Sequence, residues 1–446
     1  MGAGTARTVR DPLWGNVTLD AAAAAVVDAA EFQRLRRVKQ LGFAHLVYPG
    51  AVHTRFLHAL GVHHLGGLAV EALRRRGELD GLSEEERAAL PAVRLAALLH
   101  DIGHYAFSHA MEELEPGAIP GHHEDVAERF LRAPGIRAAL VAAMPDGADA
   151  AERVSALIRG VSPHPLQGLV SGPLDLDKID YLRRDAMFCG VPYGAVDVER
   201  LIDSLALARE SSDAPLEVAV TEKGLSALES LLFSKYQMFR NVYWHHGVRA
   251  ATVTFRRLVE GALDAGLLAR DELAGPTDEE LLGRLAARMR EREAPPVLAR
   301  LLAALMDRRL PRRLLELQGD GLPAGIGTWM PGNRDLVRSV EDRLAREWGR
   351  EPGSILLDYP ENPRMLELGI LLVRRRGGVQ RLSSAGEEGL IDLPRLGRSL
   401  HHATRALRVF GLDRDFEAPD PGPLLRLLGL PGAEVAGRLD DPAPLD

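Results

Sequence analysis

The sequence is poor in the residues that build several common kinds of site, beginning with cysteine. Its 446 residues include one cysteine, Cys189, which excludes an internal disulfide framework and a cysteine-rich zinc site. Such scarcity is typical of a reducing compartment, so we expect a cytoplasmic protein. No apolar run approaches the length of a membrane span and the N-terminus has no signal-peptide core, so we expect no membrane association.

Basic residues are also fewer than acidic ones. Lysine and arginine total 55 against 63 aspartates and glutamates, a net charge of -8, whereas a general nucleic-acid-binding surface is usually basic. We therefore expect that the protein does not require nucleic acid as a partner. The sequence also contains no internal repeat, no glycine-rich phosphate loop and no locally supported Ser-His-Asp arrangement.

Histidine, by contrast, is concentrated in one part of the chain. Nine of the 15 histidines fall between His53 and His123. Within this region residues 95–109 read LAALLHDIGHYAFSH, an apolar run expected to be helical that carries His100 and Asp101 side by side. Burying an imidazole and a carboxylate together would cost several kcal/mol unless a partner satisfied them, and a divalent cation is the simplest partner. A lone histidine is more often a core residue, but this clustering indicates a metal and proton-transfer site.

A second informative stretch covers residues 174–194, LDLDKIDYLRRDAMFCGVPYG. Asp177, Tyr181 and Asp185 recur every four residues, so we expect them on one face of one helix. Beside them, Asp180 and Arg184 are interpreted as an exposed i,i+4 salt bridge. By themselves, Asp177 and Asp185 would be interpreted as solvent-exposed. Because of the upstream His100-Asp101 pair, the helix face that carries these carboxylates becomes a candidate side of a metal site.

Two imidazoles and two carboxylates form the candidate ligand set: His58, His100, Asp101 and Asp177. This mixed nitrogen and oxygen set suits Mn²⁺, Fe²⁺, Zn²⁺ or Mg²⁺ and not a soft thiolate metal. Such a centre lowers the pKa of water and polarises a phosphoryl group.

The remaining polar residues extend this chemistry. Three histidines could supply a proton or bind developing negative charge, namely His104, His109 and His123. Three cations could neutralise phosphates, namely Arg55, Lys178 and Lys235. Together they point to metal-assisted hydrolysis of a phosphate ester.

The candidate ligands and the sequence around them resemble a known family. His58, His100-Asp101 and Asp177 match the H…HD…D signature of the HD-domain phosphohydrolases, and the chain is most similar to their deoxynucleoside triphosphate triphosphohydrolases. The matching strings are FQRLRRVKQLG (32–42), YPGAVHTRFLHALGV (48–62), LLHDIGHYAFSH (98–109), HHE (122–124) and LDLDKIDYLRRD (174–185). They span roughly the first half of the chain.

The resemblance implies a role for each candidate residue. His58, His100, Asp101 and Asp177 would bind the metal. The phosphate site would be lined by His104, His109 and His123, with His109 protonating the departing 5′ oxygen and Glu112 orienting His109.

The resemblance also implies a substrate site for a deoxynucleoside triphosphate. Phosphate contacts would come from Arg55, Lys178 and Lys235. The sugar region would be formed by Gln40, Leu41, Tyr181, Asp185 and Tyr243. Of these, Gln40 and Asp185 would bind the 3′-hydroxyl, and Tyr243 would crowd the ribose 2′ position.

In this family, nucleotide binding at an allosteric site assembles an active tetramer. The residues at the family's guanine-nucleotide positions are Asp28, Gln33 and Arg36, and Arg308 and Arg312 resemble the pair that holds activator phosphates. The resemblance therefore implies a homo-oligomer, dimeric or tetrameric, with GTP or a deoxynucleoside triphosphate as activator.

The expected fold is mainly α-helical. We expect an HD-domain helical core at 1–270, a helical extension at 271–345, and a small α+β C-terminal region at 346–446 whose tail from Pro431 is disordered. Expected helices include 21–40, 225–248, 278–317 and 401–410, and expected strands are 17–19, 216–220, 354–358, 369–373 and 379–382.

The most specific functional hypothesis is hydrolysis of a deoxynucleoside triphosphate to deoxynucleoside and triphosphate. One alternative is another HD-domain hydrolase, either a nucleotidase or a phosphodiesterase. The second is a non-catalytic nucleotide sensor or nucleic-acid-binding protein that keeps the metal for structure. The phosphate-binding cations favour the triphosphate, and His104, His109 and His123 argue against a purely structural metal.

Overall fold

Helices form most of the protein, as the sequence predicts. In this computed structural model the described residues are 6–115, 117–144, 149–318, 325–360, 369–382, 405–413 and 420–441, with Leu322, Asp415 and Phe416. The described helices are α1 (Ala21–Asp28), α2 (Ala30–Gln33), α3 (Arg55–Arg75), α4 (Glu84–Ala88), α5 (Leu90–Leu99), α6 (Ser108–Glu112), α7 (His123–Leu131), α8 (Pro134–Ala143), α9 (Ala150–Ile158), α10 (Leu176–Cys189), α11 (Val198–Asp203), α12 (Leu225–Met238), α13 (His246–Asp264), α14 (Asp278–Glu291), α15 (Pro296–Met306), α16 (Arg334–Glu347), α17 (Gly422–Leu428) and α18 (Gly432–Asp440). Among them, none has the length and apolar character needed to cross a membrane.

The strands form three small sheets. They are β1 (Arg7–Asp11), β2 (Gly15–Leu19), β3 (Leu205–Ala208), β4 (Glu217–Thr221), β5 (Arg312–Gln318), β6 (Ile355–Asp358), β7 (Leu371–Val373), β8 (Val379–Arg381) and β9 (Ala406–Gly411). Strands β1 and β2 make a hairpin, and the other sheets have the orders β3-β4-β7-β8 and β5-β9-β6. All five predicted strands are confirmed.

The main apolar core lies around α3, which packs against α5 and α10. Helix α5 begins with a proline in its first turn and is almost entirely buried, as expected for an apolar segment with a single charged residue. Helix α10 is capped by the Asp175 side chain, which accepts from the Lys178 N–H, and ends at Gly190 with φ 68°. These three helices carry or immediately precede the candidate metal ligands.

The predicted helix over 21–40 is wrong in its second half. Helix α1 ends at Asp28, Ala29 is extended, and after α2 the chain forms a 3₁₀ turn at Arg34–Arg37. The reason is tertiary: Arg34 is buried and donates to the carbonyls of Ile102 and His104 at 2.8 and 3.0 Å. In a continuous helix, Arg34 would lie on the charged face of that helix.

The predicted helix over 225–248 is interrupted. Helix α12 ends at Met238, a π turn covers Phe239–Tyr243, and α13 starts at His246. Single π turns within helices are frequent at functional sites. Here the turn contains Tyr243, whose hydroxyl reaches α10.

Three predictions for the later part of the chain are also wrong. The segment 278–317 contains α14 and α15 but ends in strand β5, and 406–410 of the predicted helix 401–410 lies in β9, while 401–404 are outside the described residues. Strand β9 is central in its sheet and buried on both faces, so its apolar run has no alternation that would distinguish it from a helix. The expected disordered tail includes helix α18, and 442–446 lie beyond the described part.

The sheets join the regions distinguished in the sequence. Strand β4, within 1–270, pairs in parallel with β7, within 346–446. Strand β5, within 271–345, pairs with β9. These pairings cross the boundaries between the three predicted regions, so the division into 1–270, 271–345 and 346–446 remains a prediction.

Candidate active site

The four predicted metal ligands come from three neighbouring segments. His58 lies on α3, His100 and Asp101 follow the last residue of α5, and Asp177 is in the first turn of α10. Helix α5 ends at Leu99, so the expectation that His100 and Asp101 lie within the helix is wrong by one and two residues. The His100 Nδ1 atom lies 3.0 Å from the Ala97 carbonyl oxygen, which fixes the ring at the end of the helix.

The ligand atoms converge on one point. The Nε2 atom of His58 lies 3.2 Å from His100 Nε2, 2.9 Å from Asp177 Oδ1 and 3.6 Å from Asp101 Oδ2. His100 Nε2 is 3.3 Å from Asp101 Oδ1 and 3.7 Å from Asp177 Oδ1. His58, His100 and Asp101 are buried, whereas 32% of the Asp177 side chain is exposed.

This arrangement fits a divalent cation. The Nδ1 atoms of His58 and His100 are engaged by Asp180 and by the Ala97 carbonyl, which directs both Nε2 atoms towards each other and towards two carboxylates. Two imidazole nitrogens and two carboxylates are a donor set for Mn²⁺, Fe²⁺, Zn²⁺ or Mg²⁺. Burial alone would raise the pKa of Asp177, but His100 and His58 hold it well below its usual range, so the carboxylate is ready to bind a cation.

Asp180 is the functional residue that the sequence interpretation placed wrongly. It is fully buried with Arg184, which donates from Nε and Nη2 at 2.8 and 2.9 Å. The Asp180 Oδ2 atom also lies 2.7 Å from His58 Nδ1, the carboxylate partner that a metal-binding histidine usually has. The available signal was that Asp177 and Asp180 are three residues apart and therefore adjacent on α10.

Arg55 connects the ligand set to the adjoining cavity. Its Nη1 atom donates to Asp101 Oδ2, and its Nε donates to Ser108 Oγ at 2.8 Å. Nη2 has no hydrogen-bond partner among the described residues. A buried guanidinium with an unused donor at a cavity wall is suited to an anionic ligand.

The predicted histidines lie together, but Glu112 does not pair as predicted. Its Oε1 atom is 2.7 Å from His123 Nδ1 and 3.2 Å from His104 Nδ1, whereas Oε2 is 3.9 Å from His109 Nδ1. The rings of His104 and His123 stack with centroids 3.7 Å apart, which brings both Nδ1 atoms to the same carboxylate. The expected hydrogen bond between Glu112 and His109 is therefore absent.

The environments of these three histidines differ. His109 extends into the cavity with 68% of its side chain exposed, and the surrounding protein together with Arg55 lowers its pKa. Burial and Arg55 also lower the pKa of His104. For His123, burial acts in the same direction, but the close contact with the Glu112 carboxylate raises its pKa.

A cavity of about 840 Å³ opens beside the ligand set. Its lining includes the predicted substrate residues Gln40, Leu41, Arg55, Tyr181, Asp185, Lys235 and Tyr243. The Tyr243 hydroxyl donates to Asp185 Oδ2 at 2.7 Å, and His53 Nε2 lies 2.8 Å from Asp185 Oδ1. His53 had no role in the sequence interpretation, although it fixes a predicted site residue.

Lys178 is the predicted substrate residue that does not line this cavity. Its ammonium donates to Asp175 Oδ2 at 2.5 Å and to the Gly172 carbonyl at 2.9 Å. Lys235 lies at the cavity wall with its side chain buried, and burial and Lys178 lower its pKa to about 8.

The five predicted allosteric residues lie outside the cavity lining. Asp28 pairs with Arg7 at 2.6 Å, Gln33 Nε2 donates to the Val27 carbonyl, and Arg36 lies 3.6 Å from the centroid of the Phe56 ring. Arg308, with φ 54°, donates to the Leu46 carbonyl, and Arg312 begins β5.

Comparisons with known proteins match two regions of the chain to protein families. Residues 55–184 match the HD domain family and residues 196–387 match the HD associated region. An uncharacterised protein of Methanocaldococcus jannaschii is 30% identical over 381 residues, which cover 84% of this chain and 74% of that protein. The deoxynucleoside triphosphate triphosphohydrolase SAMHD1 of Homo sapiens is 27% identical over 273 residues, 54% of this chain and 42% of that protein.

Other relatives share part of their length with this chain. An uncharacterised protein of Bacillus subtilis is 34% identical over 240 residues, 53% of this chain and 51% of that protein. The chain thus spans about half the length of the Bacillus protein and less than half the length of the human protein.

Two solved structures have the same fold. A hypothetical protein from Aquifex aeolicus is 28% identical with a TM-score of 0.64, covering 91% of this chain and 96% of that one. A phosphohydrolase from Bacteroides thetaiotaomicron is 22% identical with a TM-score of 0.66, covering 91% and 99%. With the metal-type ligand set and the two matched regions, these similarities mean that the chain belongs to the HD-domain phosphohydrolase family, among the members similar to the deoxynucleoside triphosphate triphosphohydrolases.

Proposed function

We propose that this protein hydrolyses deoxynucleoside triphosphates to deoxynucleoside and inorganic triphosphate in a metal-dependent reaction. The observation that carries the proposal is that His100, Asp101 and Asp177 line the same cavity as Arg55 and Lys235. A candidate ligand set and two cationic side chains in one cavity support a nucleotide substrate.

The ligand set would be His58, His100, Asp101 and Asp177. A divalent cation bound there supplies Lewis-acid polarisation of a phosphoryl oxygen and lowers the pKa of water. The protein's own contribution to phosphate binding begins with Arg55, whose Nη2 atom has no other partner among the described residues. Lys235, at the same cavity wall, adds a second positive charge for the phosphate chain.

His109 is proposed to protonate the departing 5′ oxygen. Because 68% of its side chain is exposed, a ring nitrogen is accessible to substrate in the cavity. His104 and His123 are proposed to contact phosphate oxygens, with Glu112 holding both rings in place. This division of roles replaces the predicted Glu112–His109 pair.

Selection of deoxy substrates is proposed to come from Tyr243. Its hydroxyl is fixed by Asp185, and Asp185 is fixed in turn by His53. A ring held in this way would leave no room for a ribose 2′-hydroxyl, while Asp185 and Gln40 would bind the 3′-hydroxyl. Leu41 and Tyr181 would complete the sugar pocket. Lys178, which lies outside the cavity lining, would attract phosphate by its charge.

Regulation is a further part of the proposal, and it is supported by sequence resemblance. GTP or a deoxynucleoside triphosphate would bind at Asp28, Gln33 and Arg36, with Arg308 and Arg312 holding its phosphates. The protein would act as a homo-oligomer in the cytoplasm, without a membrane partner and without requiring nucleic acid.

Product analysis tests the proposal. Purified protein with Mn²⁺ would be given each deoxynucleoside triphosphate singly, then all four with GTP. Deoxynucleoside with intact triphosphate is the expected product, and turnover confined to mixtures would support an activator. Monophosphate with pyrophosphate would assign a different scissile bond, and no turnover by metal-loaded protein would favour a sensor. Asp177→Ala, which loses a ligand, is the matched inactive control.

A further inference from the structure

The turn of the N-terminal hairpin lies close to the candidate metal site although it supplies no ligand. Asp11 ends β1 and is 1% exposed, and Trp14 follows in the same turn. We propose that Asp11 and Trp14 position the metal ligand His58 through Arg184 and Asp180, and thereby set the metal affinity of the site. The inference rests on the metal-binding part of the proposed function and does not depend on the substrate.

The first step is the direct partner of His58. Asp180 Oδ2 lies 2.7 Å from His58 Nδ1, so the ring can direct Nε2 towards the other ligands. A carboxylate in this position fixes the ring orientation and makes the imidazole a stronger ligand.

The second step is that the hairpin holds Asp180 from the other side. Trp14 Nε1 donates to Asp180 Oδ1 at 2.5 Å. Arg184 donates to both carboxylate oxygens of Asp180, and its Nη1 donates to Asp11 Oδ2 at 2.9 Å. The carboxylate is therefore held by contacts from three elements, namely α3, α10 and the hairpin turn.

Asp11 also determines the shape of the turn. Its second oxygen, Oδ1, accepts from the backbone N–H groups of Leu13 and Trp14, both at 2.8 Å. One carboxylate thus fixes the turn that presents Trp14 and binds the guanidinium of Arg184. Loss of the Asp11 charge would disturb both contacts with Asp180.

The side chains that connect the hairpin to His58 are buried and closely packed. The side chains of Asp11, Asp180 and Arg184 are 0% exposed, as is that of His58. A Cβ atom on Gly61, one turn beyond His58 on α3, would lie 2.0 Å from Asp180 Oδ1 and 2.4 Å from Arg184 Nη2. Such close packing means that a shift of Asp180 must be transmitted to the His58 ring.

The charges are consistent with a cation on the far side of His58. Two carboxylates, Asp11 and Asp180, surround one guanidinium, Arg184. A histidine that binds a metal through Nε2 is neutral, so in the metal-bound state this buried group carries one net negative charge, which the metal ion would help to balance. The hairpin therefore contributes electrostatically as well as geometrically.

Metal binding without substrate tests the inference. The variants are Asp11→Asn, which weakens the contact to Arg184, and Trp14→Phe, which removes the donor to Asp180. The matched control is Val17→Ala, on β2 and 0% exposed, which removes hairpin packing but no polar contact with Arg184 or Asp180. Dissociation constants for Mn²⁺ would be measured by chelator competition, with Co²⁺ absorption spectra and thermal unfolding of the metal-free proteins.

We expect Asp11→Asn and Trp14→Phe, the two variants that change polar contacts, to bind Mn²⁺ about tenfold or more weakly than the wild type. Both should also alter the Co²⁺ absorption spectrum. Val17→Ala should unfold at lower temperature with wild-type Mn²⁺ affinity. Wild-type affinity in both polar variants overturns the inference, as does an equal loss of affinity in Val17→Ala. Wild-type protein that binds Mn²⁺ but hydrolyses no nucleotide contradicts the proposed function alone.

Discussion

At the scale of single residues, the phosphate contact proposed for Lys235 should depend on pH. Burial and the nearby Lys178 lower the pKa of Lys235 to about 8, so the free protein loses this positive charge as the pH rises above that value. We expect kcat/KM for a deoxynucleoside triphosphate to fall above about pH 8, since this ratio reports the free enzyme. Steady-state kinetics from about pH 6.5 to about pH 9.5 would measure it.

Lys235→Arg is the control because a guanidinium stays charged throughout this range. The variant should lose the decline above about pH 8 even if its absolute activity is lower. The same decline in Lys235→Arg and in the wild type would show that another group titrates.

His109 provides a second prediction at this scale. His109→Ala should lower kcat by about 10²- to 10⁴-fold, the usual contribution of a general acid. Mn²⁺ affinity should stay at the wild-type value because His109 is not among the atoms that converge on the ligand point. Activity that survives the substitution would remove His109 from the role of proton donor.

The sequence identified the candidate ligands better than the residues that position them. His58, His100, Asp101 and Asp177 could be chosen because their residue types and clustering have few other uses. Asp180 and Arg184 were interpreted as an exposed pair because an i,i+4 ion pair has the same spacing on either face of a helix. Their burial depends on the hairpin turn, which contacts them across 166 and 173 residues of chain.

At the scale of secondary-structure elements, the first residue of α14 connects two parts of the active site. Asp278 is 1% exposed and accepts from the backbone N–H groups of Phe107 and Lys39, both at 2.9 Å. Phe107 ends the segment that carries His104, and Lys39 precedes Gln40. Asp278→Ala would leave two buried donors unpaired, each costing about 1–3 kcal/mol.

We therefore expect Asp278→Ala to lower both the unfolding temperature and kcat/KM, as measured by calorimetry and nucleotide hydrolysis. Glu279→Gln is the control, since the neighbouring carboxylate is 68% exposed and its contact is with the Lys39 ammonium. Equal effects of the two substitutions would argue against a specific role for the buried carboxylate.

Long-range contacts also explain which elements were predicted correctly. Helices α5 and α10 follow local apolar patterns, so their positions could be predicted. The break after α1 depends on Arg34 reaching the carbonyls of Ile102 and His104, and β9 depends on two partner strands. Neither partner is near in sequence, so no local pattern contains the information.

At the scale of the whole molecule, an ion-pair network ties the active-site region to the C-terminal sheet. Arg249 on α13 makes a bidentate contact with Glu113, at 2.5 and 2.8 Å, and also pairs with Asp358 on β6 at 2.6 Å. Arg256 donates to the same Glu113 at 2.7 Å. Glu113 directly follows α6, so the helix that carries His109 is fixed to the sheet through charges.

The same network should make folding stability depend on pH in the acid range. Burial alone would raise the pKa of Glu113, but Arg249 and Arg256 hold it at about 2, below its ordinary value of 4.5. A carboxylate whose pKa is lower in the folded state contributes stability that is fully present above about pH 4.5 and is lost as the pH falls towards about 2. Urea unfolding of the metal-free protein from about pH 6 to about pH 3 should therefore show a decreasing free energy of unfolding.

Glu113→Gln should be less stable at about pH 6 and should lose less stability on acidification, because its side chain does not titrate. Glu71→Gln is the matched control, since Glu71 pairs with Arg74 on the surface, where both side chains are more than half exposed; exposed pairs contribute little. A Glu113→Gln curve parallel to that of the wild type would mean that other carboxylates cause the acid loss, and that the network does not set the acid stability of the fold.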